Sequence, residues 1–171
     1  LVIHNQAERI TVSGTLLTAQ SGAKIADCIT IATARGLSGL EHFAGIPSSA
    51  GGALWQNLHF LDPSRKNTLF IGSLLHSAVI LDQENIRRTV DREFFRFGYD
   101  YSRLHDEPLV VLEASFQLVP QKITAITRQI QANLEWRKQR RPNLSLFPSA
   151  GSVFKQINGM GAGRVIDRAG L

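Results

Sequence analysis

Cysteine is scarce in this sequence, because its 171 residues include only one, Cys28. A single cysteine excludes an internal disulfide framework and is typical of proteins from a reducing compartment. Cys28 lies among Ile25, Ile29 and Ile31. This apolar setting predicts a buried, inert thiol rather than a nucleophile.

Long apolar runs and clusters of metal ligands are also missing. No stretch is long enough to span a bilayer, and the sequence as given opens without a charged and apolar leader, so we expect no membrane insertion. The histidines are scattered, without an i, i+4 pair or a cysteine partner, so we expect no metal site. They are His4, His42, His59, His76 and His105. The Gly-x-Ser-x-Gly elbow of many hydrolases is absent as well.

Charge is present, but it is not patterned for nucleic acid. The net charge is +5 and the pI is near 9.9. Much of the basic excess lies in residues 137–141 and 87–88, which is typical of solvated helix ends. Nucleic-acid binding would need basic residues spread over a face with aromatic residues between them. We therefore expect no nucleic-acid partner, whereas an anionic metabolite fits the charge.

The hydrophobic pattern mixes short strands with helices and shows no regular βαβ alternation, which indicates an α+β or mixed α/β fold. Strands are predicted at 1–3, 9–13, 15–19, within 69–81 and at 109–118. Helices are predicted at 24–35, 90–95, 121–141 and 163–169, and Thr89 would cap the second of these. A capping box at 38–41 predicts the start of a further short helix. The helix at 121–141 has a predicted buried stripe of Ile123, Ile126, Ile130 and Leu134.

One segment, residues 45–57, is unusually rich in small residues. Its glycines allow a ligand to lie against the main chain, and its serines place hydroxyls beside backbone N–H groups. Such a loop suits a phosphate or a flat cofactor. The same composition also fits a buried, purely structural turn. Composition alone leaves both interpretations open.

Three motifs resemble the UDP-N-acetylenolpyruvoylglucosamine reductase (MurB) family, and they occur in the family's order. The family's flavin-contacting segment is similar to residues 36–41, 44–47 and 51–53 with Asn57. Its second motif is similar to residues 97–102. Its third motif is similar to residues 151–155 with 162–167 and 169–171. The resemblance implies an α+β fold with an FAD-binding domain of the type 2, vanillyl-alcohol-oxidase-like kind. Residues 1–119 would be the C-terminal part of that domain, and residues 120–171 would begin a substrate-binding domain.

The resemblance also implies an activity. It is the reduction of UDP-N-acetylglucosamine enolpyruvate to UDP-N-acetylmuramate by NADPH through FAD, a step of peptidoglycan precursor synthesis in the bacterial cytoplasm. By resemblance the cofactor-binding residues would be Gly45, Ile46, Pro47, Ser48, Ser49, Gly51, Gly52 and Asn57. Tyr99, Ser102 and Lys155 would bind the substrate, and Ser152 would donate the proton that completes the reduction.

The sequence departs from the family at several of these positions. An arginine that normally polarises the substrate carboxylate is replaced by Asp100, so Arg103 or another cation takes that role or Asp100 points elsewhere. Ser48 and Ser49 stand where the family has glycine and threonine. Small residues after Asn57 are replaced by Leu58, His59 and Phe60. These departures leave a non-catalytic or divergent flavin- or nucleotide-sugar-binding relative as the alternative, with an oxidase on the same fold ranked last.

Both ends of the sequence look cut from within patterned structure, so we expect a fragment of a longer protein. By resemblance, a phosphate-cradling loop would precede Leu1 and a catalytic glutamate would follow Leu171. The isolated chain should therefore bind FAD weakly or not at all and be inactive. The flavin absorbance of the purified chain measures this, and co-purification with flavin at full occupancy would contradict it.

Overall fold

The structure is a computed structural model that describes residues 4–140, 146–148, 153–155 and 160–171. Its strands are β1 (Ile10–Ser13), β2 (Leu16–Gln20), β3 (Leu37–Ser38), β4 (His59–Leu61), β5 (Thr68–Phe70), β6 (Leu75–Leu81), β7 (Arg87–Asp91), β8 (Val110–Gln117) and β9 (Val119–Pro120). Its helices are α1 (Ile25–Ala34), α2 (Ala50–Gln56), α3 (Ile123–Arg140) and α4 (Ala162–Arg168). Turns of 3-10 helix lie at Leu40–Phe43, Ile71–Leu74, Glu93–Phe95 and Arg103–His105.

The chain forms two compact units, Leu1–Arg137 and Lys138–Leu171. The first contains every strand, and the second contains α4. No described helix is long and apolar enough to cross a membrane.

A five-stranded antiparallel sheet forms the centre of the first unit, with the strand order β1-β2-β8-β6-β7. Ala19, Ala114 and Ala78 face one another across its three inner strands and are at most 2% exposed. Small side chains let a helix approach a sheet closely. Helix α2 packs against β8 and β2 and buries its own Ala50 and Ala53.

Most elements predicted from the pattern are present. The strands β1, β2 and β8 and the helices α1, α3 and α4 lie within a few residues of their expected bounds, and the strand predicted at 1–3 lies outside the described residues. Cys28 is fully buried, and desolvation raises the pKa of its thiol to about 12. A thiol with that pKa stays protonated at neutral pH, which confirms the expectation of an inert cysteine.

The helix predicted at 90–95 is wrong in its first half. Thr89 belongs to β7 and pairs with Val79 of β6, so cross-strand pairing overrides the local helix signal. Only Glu93–Phe95 turns helically, after the N-cap residue Arg92, and Asp91 at the end of β7 accepts a hydrogen bond on Oδ1 from the Phe94 N–H at 3.0 Å.

The buried stripe predicted for α3 is also partly wrong. Ile126 is buried, but Ile123 is 50% and Leu134 is 45% exposed. The other fully buried side chain of this helix is polar, Asn133. A buried amide is stable only when its donors and acceptors are paired, and periodicity of apolar residues cannot signal such a position.

Asn133 joins three parts of the first unit. Its Nδ2 lies 3.0 Å from the His42 carbonyl and 3.3 Å from the Glu41 carbonyl, and its Oδ1 accepts from Arg65 Nη2 at 2.8 Å. The Arg65 guanidinium in turn lies 5.4 Å from the ring centroids of Phe60 and Trp136. One amide thus holds α3 to the Leu40–Phe43 turn and to the β4–β5 hairpin.

The substitution Asn133→Ala should lower the free energy of unfolding by about 2–4 kcal/mol, because it leaves the part-buried His42 carbonyl and Arg65 Nη2 without their partner. Denaturant unfolding of the purified protein measures the loss. Gln131→Ala is the matched control on the same helix, and since Gln131 is exposed it should change stability by less than about 0.5 kcal/mol. Equal losses in the two variants would contradict this role for Asn133.

Candidate functional site

The segment 45–57 is not an open loop along its whole length. Ser49 is the N-cap of α2, and its hydroxyl accepts from the Gly52 N–H at 3.2 Å. The expectation of a continuous donor-rich loop is therefore wrong from Ala50 onward. The glycines that indicated a loop instead permit close packing. A Cβ on Gly51 would lie 3.1 Å from Ser21 Cβ.

The helix start uses most of its N–H groups within the protein. The Ala50 N–H bonds to the Ala23 carbonyl and the Gly51 N–H to the Ser21 carbonyl, both at 2.8 Å. Among the described residues, no acceptor pairs with the N–H groups of Ser48 and Ser49. The donors that remain for a ligand are therefore these two amides, whereas the part-exposed Ser48 hydroxyl donates to the Ser49 carbonyl at 3.0 Å and keeps only its acceptor capacity.

Gly52 and Gly45 play different parts at this surface. Gly52 is exposed, and a Cβ there would lie 3.3 Å from the Ser49 hydroxyl and 3.4 Å from the Ser48 hydroxyl. Gly45 has φ +80°, and a Cβ there would lie 2.8 Å from a methyl carbon of Leu134. Glycine at position 52 thus keeps a shallow, hydroxyl-rimmed surface open, whereas glycine at position 45 lets the chain pass close to α3.

Asn57 ends α2 in the left-handed conformation, with φ 50° and only 3% exposure. Its Nδ2 donates to the Gly98 carbonyl at 2.8 Å, and its Oδ1 accepts from the Gly72 N–H at 3.1 Å. A Cβ on Gly72 would lie 2.8 Å from this same Oδ1 and 2.6 Å from Phe97, so position 72 must be glycine for the contact to form. The amide group predicted to bind a cofactor therefore connects three segments of the chain.

Ser102 is also held inside the protein. It is fully buried, and its hydroxyl donates to the Trp55 carbonyl at 2.8 Å. His105 Nε2 lies 2.9 Å from the same carbonyl, and the imidazole stacks on the Trp55 ring with 3.7 Å between centroids. These contacts fix the segment after the second motif against the last turn of α2.

The second motif forms a tight turn at residues 98–101, in which the Gly98 N–H bonds to the Tyr101 carbonyl at 3.0 Å. Asp100 has φ 49°, a conformation that aspartate tolerates better than most residues. Its carboxylate lies 3.5 Å from His59 Nδ1, and the Tyr99 ring is centred 5.0 Å from the imidazole. Asp100 is therefore directed at His59.

Arg103 does not take the place of the missing arginine in this structure. Its Nε lies 2.5 Å from Glu107 Oε1, and its guanidinium covers the Phe94 ring at 4.3 Å. Tyr101 is engaged similarly, since its hydroxyl donates to Asp106. This hydrogen bond to a carboxylate raises the pKa of Tyr101, because it favours the protonated phenol.

The remaining predicted site residues lie in the second unit. Lys155 is exposed, and Ser152 lies outside the described residues. Within the described parts of the chain, no group of three or more histidine, cysteine, aspartate or glutamate residues could hold a metal ion.

Sequence reasoning missed the contact between Trp55 and His105. Their contact joins positions 50 residues apart, so no local pattern could reveal it. The sequence marks His59 only as a bulky residue after Asn57, at a position where the family has a small one. Its carboxylate partner becomes visible only when the 98–101 turn is placed against β4.

The fold described here is shared with a solved enzyme. The structure matches the crystal structure of UDP-N-acetylenolpyruvylglucosamine reductase (MurB) from Thermus caldophilus with a TM-score of 0.75 and 27% sequence identity, over 90% of this chain and 53% of that one. No protein-family model matches the chain. The class is therefore the one expected from the sequence, an α+β fold of the FAD-binding type.

Sequence comparison names the family. Enzymes called UDP-N-acetylenolpyruvoylglucosamine reductase are 36% identical over 171 residues in Levilactobacillus brevis and 33% identical over 171 residues in Moorella thermoacetica. These matches cover 100% and 99% of this chain and 54% of each relative. The chain is thus similar over its whole length to reductases of this name, and it spans about half the length of the curated relatives it matches.

The contact between Asn57 and the two glycines can be tested by substitution. Asn57→Ala should lower the free energy of unfolding by about 3–5 kcal/mol, from two lost hydrogen bonds and a strained left-handed alanine. Asn57→Gly should lose less, because it recovers only the part of the free energy of unfolding that is lost to backbone strain. Denaturant unfolding of both variants separates the two terms.

Asn85 supplies the matched control for this experiment. It is also left-handed, with φ 59°, but it is exposed. Asn85→Ala should lower the free energy of unfolding only by the strain of a left-handed alanine, about 1–2 kcal/mol. A loss in Asn57→Ala no larger than in Asn85→Ala would show that the amide contacts contribute nothing.

Proposed function

We propose that the protein containing this chain reduces UDP-N-acetylglucosamine enolpyruvate to UDP-N-acetylmuramate, with FAD as cofactor and NADPH as hydride source. The observation that carries the proposal is the match of the whole chain to reductases of this name. The arrangement of the first unit supports it, because Asn57 joins the end of α2, the helix that the small-residue segment starts, to the 98–101 turn. The product is a peptidoglycan precursor, and the setting we propose is the bacterial cytoplasm.

The residues around the start of α2 fit a flavin nucleotide. The N–H groups of Ser48 and Ser49 are donors suited to anionic or carbonyl oxygens. The bare surface at Gly52, which a Cβ would fill, lets a flat or phosphorylated group lie against the backbone. Gly45, Ile46 and Pro47 lead into this surface, whereas Gly51 and Asn57 hold its shape from behind.

Bound FAD would supply the hydride chemistry, by accepting hydride from NADPH and passing it to the enolpyruvyl double bond. The chain's own residues would position the substrate and move a proton. Tyr99, which is 43% exposed, would contact the substrate at the 98–101 turn. Lys155 would hold anionic parts of the substrate, and the Ser152 hydroxyl would donate the proton to the carbon beside the one that receives hydride.

Ser102 fits a supporting part better than direct contact. Its hydroxyl already donates to the Trp55 carbonyl, so it could meet a substrate only as a hydrogen-bond acceptor or by giving up this bond. In the proposed enzyme it holds the 98–101 turn against α2. The division into an FAD-binding domain at 1–119 and a substrate-binding domain beginning at 120–171 is part of the same proposal.

The test is a steady-state assay on the protein expressed from its complete reading frame. The purified protein should carry flavin absorbance and oxidise NADPH only when UDP-N-acetylglucosamine enolpyruvate is added. UDP-N-acetylglucosamine, which lacks the enolpyruvyl group, is the matched control substrate and should give no oxidation. A flavin-loaded protein that does not oxidise NADPH in the presence of the enolpyruvyl sugar would contradict the proposal. Oxygen consumption with an alcohol would identify an oxidase instead.

A further inference from the structure

His59 and Asp100 form a pair whose purpose the fold alone does not explain. His59 Nδ1 is fully buried and makes no hydrogen bond with any described residue, and its nearest carboxylate oxygen is Asp100 Oδ1 at 3.5 Å. That distance is too long for a strong hydrogen bond, but a charge contact operates over it when the imidazole is protonated. The pair is only partly buried, with side-chain exposures of 27% and 16%.

The orientation of the ring leaves its other nitrogen available. Because Nδ1 is buried, the exposed part of the imidazole lies on the rest of the ring, which includes Nε2. Within the described chain, Nε2 forms no hydrogen bond with a protein group. When both ring nitrogens carry a proton, Nε2 presents an N–H donor on the side opposite to the carboxylate.

The surroundings suit an anionic ligand with an apolar part. The groups that face His59 are Asp100 and Tyr99 from the 98–101 turn and the Phe70 ring from β5, whose centroid lies 5.4 Å away. Two aromatic rings flank the imidazole, and one of them, Tyr99, is 43% exposed. A small unsaturated acid could lie against the exposed side of the Tyr99 ring with its carboxylate on Nε2.

The position of this pair depends on the contacts already described. Asn57 binds the Gly98 carbonyl and immediately precedes the strand that carries His59, so one amide sets the distance between the turn and β4. Asp100 reaches the imidazole from a left-handed backbone, with φ 49°. His59 and Asp100 are also two positions at which the sequence departs from the family motifs, and the structure brings these departures into contact.

We propose that His59, held by Asp100, is the residue that binds the enolpyruvyl carboxylate of the substrate. Asp100 is then a positioning residue that acts through His59 and does not face the substrate itself. The assignment rests on the proposed function, since that function supplies the carboxylate.

The experiment compares His59→Gln with the parent protein, both expressed from the complete reading frame and loaded with FAD. KM for UDP-N-acetylglucosamine enolpyruvate should rise about tenfold or more, the loss expected for a charge-assisted hydrogen bond. The value of kcat should change less than about threefold, because the contact exists before and after hydride transfer. His76→Gln is the matched control, since His76 is exposed on β6, and it should leave both constants unchanged.

Calorimetry with two ligands separates carboxylate binding from general damage. His59→Gln should lower the affinity for the enolpyruvyl sugar about tenfold and leave the affinity for UDP-N-acetylglucosamine as in the parent protein. Asp100→Asn, which tolerates the left-handed backbone, should produce a smaller loss of the same selectivity. The double variant should be no worse than His59→Gln, because Asp100 acts through the ring.

The outcomes distinguish this assignment from the proposed function. A parent protein that neither binds nor reduces the enolpyruvyl sugar overturns the proposed function and this assignment with it. An active parent with unchanged KM and affinity in His59→Gln overturns the assignment alone. Equal weakening of both ligands would also overturn it, because that result shows a structural role for His59.

Discussion

The amide of Asn57 is the contact on which the arrangement of the candidate site depends. It binds the Gly72 N–H on one side and the Gly98 carbonyl on the other, at the point where α2 ends and β4 begins. A buried amide must pair its donor and its acceptor, so the two segments cannot separate without a large loss of stability. The 98–101 turn therefore lies beside β4, and Asp100 reaches His59.

Packing in the rest of the first unit supports this contact through small residues and a second buried amide. The row of buried alanines across β2, β8 and β6 lets elements pack close to the sheet, and α2, which ends at Asn57, packs against β8 and β2. Asn133 holds the β4–β5 hairpin and α3 together through Arg65. The hairpin that carries His59 is thus fixed from both ends by side-chain amides.

Several features of the site could be predicted from the sequence, and others could not. The small residues at 45–52 correctly mark a surface where backbone lies open, and the motif order correctly indicates the family. The same glycines could not reveal that α2 begins at Ala50, because their helix propensity is poor and burial against Ser21 overrides it. The structural role of Ser102 could not be predicted either, because the carbonyl that accepts its hydrogen bond belongs to Trp55, 47 residues away.

The sequence by itself determined the fold class, the family and most strands and helices, because hydrophobic period, turn residues and motif order are local properties of a chain. Only the tertiary structure decided what the individual polar groups do. It gave Asn57 and Ser102 internal partners, engaged Arg103 with Glu107, and turned Asp100 toward His59. The reason is physical: the free energy of a polar side chain depends on the partner that desolvation forces it to find, and that partner is set by residues distant in the chain.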